Sequence, residues 1–225
     1  MAEPKLSRTE DINRAIRKMV DLGGTAPVSG LKGHDCIAVG LPAGAVVQVT
    51  GSAGDFFAAL NNGGAVSLTG DSGRFAGDLM TAGELVLNGD SSGGVGQYMR
   101  GGTIMVKGDC KGPAGQLMKG GTLVIDGNAG REVGKYMMGG EIIVNGSVGE
   151  HAGENMMGGV IFVKEEVRSP GLNARLSRPG SDDLERLRYL NKQYRFRGIT
   201  DEEVFQDFQK ISPESPRPLI GEAPK

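Results

Sequence analysis

The sequence predicts an all-β fold, a right-handed parallel β-helix of about six or seven coils on a 19-residue repeat, closed by terminal α-helices. Three observations predict it. Glycine makes up 39 of 225 residues, about 17 % against a usual level near 7 %, and 30 of the 39 fall between Gly44 and Gly159. The glycines that follow the apolar segments, Gly51, Gly70, Gly89, Gly108, Gly127 and Gly146, stand 19 residues apart with nothing gained or lost. Five methionines, Met80, Met99, Met118, Met137 and Met156, hold one phase of the same period. Self-similarity at about 20 residues is the mark of a solenoid. Collagen needs period three, and flexible Gly-rich linkers carry no phased aliphatic residues.

The elements follow in chain order. Residues 1–30 read as a lead-in with one helix: Ser7 and Glu10 have capping-box spacing, and Ile12, Ala15, Ile16, Met19 and Val20 follow at helical intervals over 8–20. That helix is expected to plug one end of the stack, because an open coil leaves strand edges unpaired. Residues 31–170 form the β-helix. Each run between glycines, such as Gly102-Thr103-Ile104-Met105-Val106-Lys107-Gly108, alternates with period two and is too short for a helix. Its second position gives the column Val66, Leu85, Ile104, Leu123, Ile142, Ile161, and its fourth Leu68, Leu87, Val106, Ile125, Val144, Val163. Stacked about 4.8 Å apart, these columns become apolar interior ladders, and crossovers between parallel strands favour the right-handed sense. The turn glycines are expected to supply positive φ and close backbone approach. Neighbouring coils also bring Lys107 beside Asp126.

The third strand position should face outward and be polar. It reads Ser67, Val86, Met105, Val124, Ile143, Phe162. An outward apolar stripe of that length marks an interface, so Val86, Met105, Val124, Ile143 and Phe162 are expected as partner-docking residues, with cover by the chain's own termini as the competing expectation. Residues 171–225 read as a helical extension with a Pro-rich tail. One helix begins at Ser181 and carries Leu184, Leu187 and Leu190; another is expected near Thr200, with Glu203 in capping position and Val204, Phe205 and Phe208 on its apolar side. Between Arg168 and Arg197 eight basic residues outweigh three acidic ones, a solvated surface or a dock for an acidic neighbour. The tail SPESPRPLIGEAPK from Ser212 is expected to be extended.

Composition narrows the function. A net charge of −2 gives no bulk reason to expect nucleic acid or an anionic membrane. No apolar run approaches a membrane span, and the start MAEPKLSRTE does not read as a signal peptide, so a cytoplasmic protein is expected. Gly130-Arg-Glu-Val-Gly134-Lys135 is one residue short of a Walker loop and lacks the following Ser or Thr. His34 and Cys36 make at most half a metal site, and His151 beside Glu150 occupies a turn slot. No nucleophile with an oriented base can be assembled. No catalytic, cofactor-binding or metal-binding residue is therefore assigned. A β-helix carbohydrate enzyme would want clustered carboxylates and aromatics where the repeats offer scattered Glu84 and Glu141; a self-pairing structural protein would pair the apolar stripe with its own copy.

The motif G-x-x-G-x-x-x-G, seen as Gly70-Gly73-Gly77, Gly127-Gly130-Gly134 and Gly146-Gly149-Gly153, resembles the carboxy-terminal GXGXG β-helix domain of the glutamate synthase large subunit. The resemblance covers about residues 30–170. Ala58 replaces the last glycine of the first coil, and Ser92 and Lys111 replace the middle glycine of the third and fourth, where Gly93 and Gly112 stand adjacent. The resemblance implies a non-catalytic brace between a glutaminase-type amidotransferase and an FMN and iron–sulfur synthase. As a separate chain with added helices it is most similar to the stand-alone subunit of split glutamate synthases, including N-methylglutamate synthase, with FMN and the iron–sulfur cluster in a partner subunit. The β-helical subunit of formylmethanofuran dehydrogenase and of the related formyltransferase/hydrolase complex is the alternative resemblance.

Overall fold

A computed structural model describes residues 8–197, 199 and 202–216. Helix α1 (Thr9–Asp21) leads into strands β1 (Thr25–His34), β2 (Val46–Ala53), β3 (Asn62–Thr69), β4 (Ser72–Arg74), β5 (Ala82–Leu87), β6 (Ser91–Gly93), β7 (Thr103–Val106), β8 (Thr122–Ile125), β9 (Met138–Val144) and β10 (Gly158–Val163). Then come β11 (Ala174–Ser177), α2 (Ser181–Tyr194), a 3₁₀ helix (Glu202–Asp207) and β12 (Gln209–Pro213). The result is a β-solenoid of about seven turns. Its main sheet runs β1-β2-β3-β5-β7-β8-β9-β10-β12-β11, parallel from β1 to β10.

Register follows the period. Leu85 pairs with Ile104, Ile104 with Leu123, Leu123 with Ile142 and Ile142 with Ile161. Both aliphatic columns lie in the interior at no more than 2 % exposure, and the five phased methionines fill it from the turn side. Fully burying one such side chain stabilises the fold by about 1.5–3 kcal/mol. Of the six turn glycines only Gly51 (φ +109°) and Gly70 (φ +140°) have the expected positive φ; what all six share is close approach, as at Gly70, where a Cβ would overlap the carbonyl oxygen of Gly51. Gly51 likewise abuts Leu31 and Gly89 abuts Gly70, while Gly108, Gly127 and Gly146 abut the carboxyl or amide oxygens of Asp90, Asp109 and Asn128. Those oxygens form a ladder of their own. Asp71 accepts from the Asp90 N–H (2.9 Å), Asp90 from Asp109 (3.0 Å), Asp109 from Asn128 (2.7 Å) and Asn128 from Ser147 (2.9 Å).

The ends are closed differently. α1 buries Ile12 and Ile16 against the first coil. Asn13 pins it there, donating to the Cys36 carbonyl (2.7 Å) and accepting from the Ala38 N–H (2.9 Å). Its N-cap is Arg8, which makes no side-chain cap bond, and not the expected Ser7, which itself lies outside the described residues. At the other end β12 runs antiparallel to β10, pairing Ile211 with Ile161, and β11 pairs with β12. The expected third helix is therefore one 3₁₀ segment followed by a strand. Once Phe205 and Phe208 are buried, the chain turns back and its next residues satisfy the open edge of β10. Thr200 and the side chains of Glu203 and Val204 lie outside the described residues, as does the tail beyond Pro216; Ser212 and Pro213 are extended, within β12.

Candidate docking faces

Two apolar stripes run along the outside of the stack. The first is the strand-centre column. Met105, Val124, Ile143 and Phe162 are at most 1 % exposed, and Val86 is partly buried. Leu187 and Leu190 of α2, with Phe196, Ile199, Phe205 and Phe208, lie over them as a second core. The residues expected to dock a partner are thus covered by this chain's own C-terminal segment. The physical reason is the i, i+3 spacing of Leu184, Leu187 and Leu190, which gives α2 one apolar face to bury.

Polar groups fasten both edges of that lid. Lys107, Asp126 and Asn145 share one repeat phase. Asp126, 7 % exposed, lies 3.7 Å from the Lys107 ammonium and accepts from the Arg197 N–H (2.6 Å) and the Asn145 amide (3.1 Å). Lys107 also donates to the Tyr194 carbonyl (2.8 Å) and Asn145 to that of Arg197 (2.7 Å). On the other edge Arg186 donates to both carboxyl oxygens of Glu141, which also accepts from the Thr122 hydroxyl (2.7 Å). This pairing raises the Arg186 pKa, the hydrogen bonds to Glu141 being the main cause. Part of the excess basic charge between Arg168 and Arg197 is therefore met inside the chain, by Glu141 and, through Arg168, by Glu150 (3.3 Å).

The second stripe lies in the turns: Leu60, Leu79, Tyr98, Leu117 and Tyr136, again 19 residues apart. Leu60, Tyr98 and Tyr136 are 50 %, 40 % and 41 % exposed. All five are left-handed, with φ between 54° and 58°, a conformation that costs a non-glycine residue about 1–2 kcal/mol. Each N–H donates to a carbonyl of the following coil, from Leu60 to Asp78 (2.7 Å) through Tyr136 to Glu154 (2.8 Å). Two residues upstream of Leu117 the chain does use glycine: a Cβ on Gly115 would overlap Ile142 inside the core. Phe56 and Phe75 stack at 5.0 Å in the same turns as Leu60 and Leu79. Sequence reasoning missed this ladder, although its signal was present one residue before Met80, Met99, Met118 and Met137. Turn residues have no period-two rule to say which way they face.

Charges border the ladder. Arg100 and Lys119 occupy one exposed column two residues past Tyr98 and Leu117, and among the described residues neither makes an ion pair. Beside Tyr136, Glu132 holds Lys135 (2.9 Å) and Arg131 (3.6 Å), and the hydrogen bond from Lys135 is the main cause that lowers the Glu132 pKa. Lys135 also sits 5.6 Å from the Tyr136 ring centroid.

The groups considered for chemistry are apart. His151 lies 3.7 Å from Glu154, and His34 and Cys36 belong to the first coil, Cys36 exposed and left-handed. Burial pushes the Cys110 thiol up to about 11, so it is protonated and unreactive at neutral pH. Among the described residues no three His, Cys, Asp or Glu cluster as a metal site, and no helix is long and apolar enough to cross a membrane. A family profile described as "GXGXG motif" matches residues 8–178. No curated protein matches the chain.

Proposed function

Because the chain belongs to the GXGXG motif family, that of the glutamate synthase C-terminal domain, we propose that it is a non-catalytic scaffolding subunit of a multi-subunit glutamate synthase type enzyme. Such an enzyme carries out glutamine-dependent amino transfer, as in glutamate or N-methylglutamate synthase. In this reading the rod braces a glutaminase-type amidotransferase subunit against an FMN-containing synthase subunit, so that ammonia passes between them without loss to solvent.

The observation that carries the reading is the family match over the whole solenoid, set on a stack whose backbone bonds coil to coil. A rod stapled by parallel ladders holds distances, which is what a brace requires. The cofactors of the reaction are assigned to the partner. An iron–sulfur cluster is held by about four thiolates, and this chain has two cysteines, one exposed in the first coil and one buried at 110. FMN would supply electron transfer in the partner subunit; no residue of this chain is given a bond-making step.

The test is purification of the native chain from its source and identification of what co-elutes. Glutaminase and flavoprotein chains, with amide transfer that needs all the subunits, are the expected result. A molybdenum or tungsten enzyme would instead assign the chain as the β-helical subunit of a formylmethanofuran dehydrogenase-like complex. Turnover by the purified polypeptide alone would end the scaffold reading.

A further inference from the structure

We propose that the left-handed ladder Leu60, Leu79, Tyr98, Leu117, Tyr136 is the docking face of this scaffold, and that its occupant is an acidic amphipathic helix on a partner protein. The inference rests on the scaffold reading and adds to it the face and the chemistry of what binds there.

Two local rules are broken on this face: its left-handed backbone bonds coil to coil, but the side chains it carries stay largely uncovered among the described residues. Large apolar side chains stand at left-handed positions, where glycine would carry no Cβ penalty, and three of the five are at least 40 % exposed. Backbone strain kept at an exposed site points to a function outside the chain. Arg100 and Lys119, like charges on adjacent coils, share one exposed column, and among the described residues neither makes an ion pair; like charges held opposite one another destabilise. A negatively charged partner removes that repulsion. Around the upper three rungs and the coil after them Arg100, Lys119, Arg131 and Lys135 outnumber three acids, each already engaged: Glu132 by Lys135 and Arg131, Glu150 by Arg168, and Glu154 by the Asn155 amide and the Leu172 N–H.

The form of the partner follows from what the face has left to offer. The ladder's N–H groups are all used between coils, so a strand cannot be added here and recognition falls to side chains. A helix satisfies its own backbone and presents one apolar side chain per turn, every 5.4 Å or so, against rungs about 4.8 Å apart. Five rungs span about 19 Å, the length of roughly 13 helical residues. Among its described residues a second copy does not supply such a helix: α1 and α2 each carry three acidic and three basic residues.

The probe is a fluorescein-labelled 14-residue helical peptide with leucine at positions i, i+3, i+4 and i+7 and glutamate elsewhere on its flanks, titrated by anisotropy against the full chain. A lysine-flanked version of the same peptide is the control. Saturable binding of the glutamate peptide, at least tenfold tighter than the lysine one, is expected. Binding should fall at least tenfold in Tyr98→Gly/Tyr136→Gly and in Arg100→Glu/Lys119→Glu. The glycine variant separates docking from packing, since its thermal midpoint should equal or exceed that of the parent while binding is lost. No saturable binding, equal binding of the two peptides, or ladder-dependent self-association of the chain in sedimentation would each overturn the proposal. In the native complex the two readings part: retention of partners by the glycine variant ends this inference alone, whereas a parent chain that elutes without partners ends the scaffold reading.

Discussion

The strand-centre stripe and the turn ladder are both apolar, both outward and both set by one 19-residue period, yet the described residues cover the first and leave the second open. The difference lies in their borders. Beside Val124 and Ile143 stand Lys107, Asp126, Asn145 and Glu141, and each finds a group in or just after α2. Beside Tyr98 and Leu117 stand Arg100 and Lys119, which find none among the described residues. Backbone conformation divides the two in the same way: the covered residues are ordinary strand, the open ones left-handed. An outward apolar stripe thus gains cover within the chain where its flanking charges find partners there, and hydrophobicity alone does not distinguish the cases.

The comparison can be broken most forcefully at the covered stripe. Val124→Asp or Ile143→Asp puts an unpaired carboxylate beneath α2 and should cost about 4 kcal/mol or more, seen as loss of cooperative urea unfolding; a variant as stable as the parent would mean that the lid does not form. Phe208→Ala should cost about 3–5 kcal/mol by the same measurement, with β12 losing amide protection first. Asp126→Ala leaves the Arg197 N–H and the Lys107 ammonium short of a partner and should cost about 2–3 kcal/mol, with faster hydrogen exchange confined to the end of α2.

Smaller effects sharpen the contrast. Tyr98→Gly relieves a left-handed residue while loosening the unfolded chain, so its thermal midpoint should be unchanged or up to about 3 °C higher. A clear fall in calorimetry would reassign Tyr98 to packing. Least of all, Asp90→Asn should change stability by about 0.5 kcal/mol or less at neutral pH. The Asp90 carboxyl is held below its ordinary value, mainly by the Asp109 N–H and next by Lys111. A lowered folded pKa contributes stability above the unfolded value and loses it as pH falls through the folded one. Acid titration of unfolding should therefore show a slightly shallower low-pH limb in the Asn variant, and Asn128 already fills the same rung as an amide.

Much of the solenoid was legible because a repeat writes vertical neighbours into the sequence. Ile104 and Leu123 are 19 apart and meet; Lys107 and Asp126 are 19 apart and pair. The ladder of side-chain oxygens through Asp71, Asp90, Asp109 and Asn128 was legible only as a small or polar residue after each glycine. Its direction came from the turn geometry. β12 was not legible, since Gln209–Pro213 carries no alternation of its own and becomes a strand only because β10 presents an open edge.

The sequence by itself determined the rod: identical spacing forces like residues over like, so interior columns, turn glycines and the 19-residue coil follow from counting. Only the tertiary structure decided which outer face the C-terminal segment covers. That choice depends on where a non-repeating segment lands, and α2 reaches Val124 across some 60 residues through shape and paired charge that no period records. Periodicity specifies contacts within the repeat; contacts between the repeat and what lies outside it are fixed by packing.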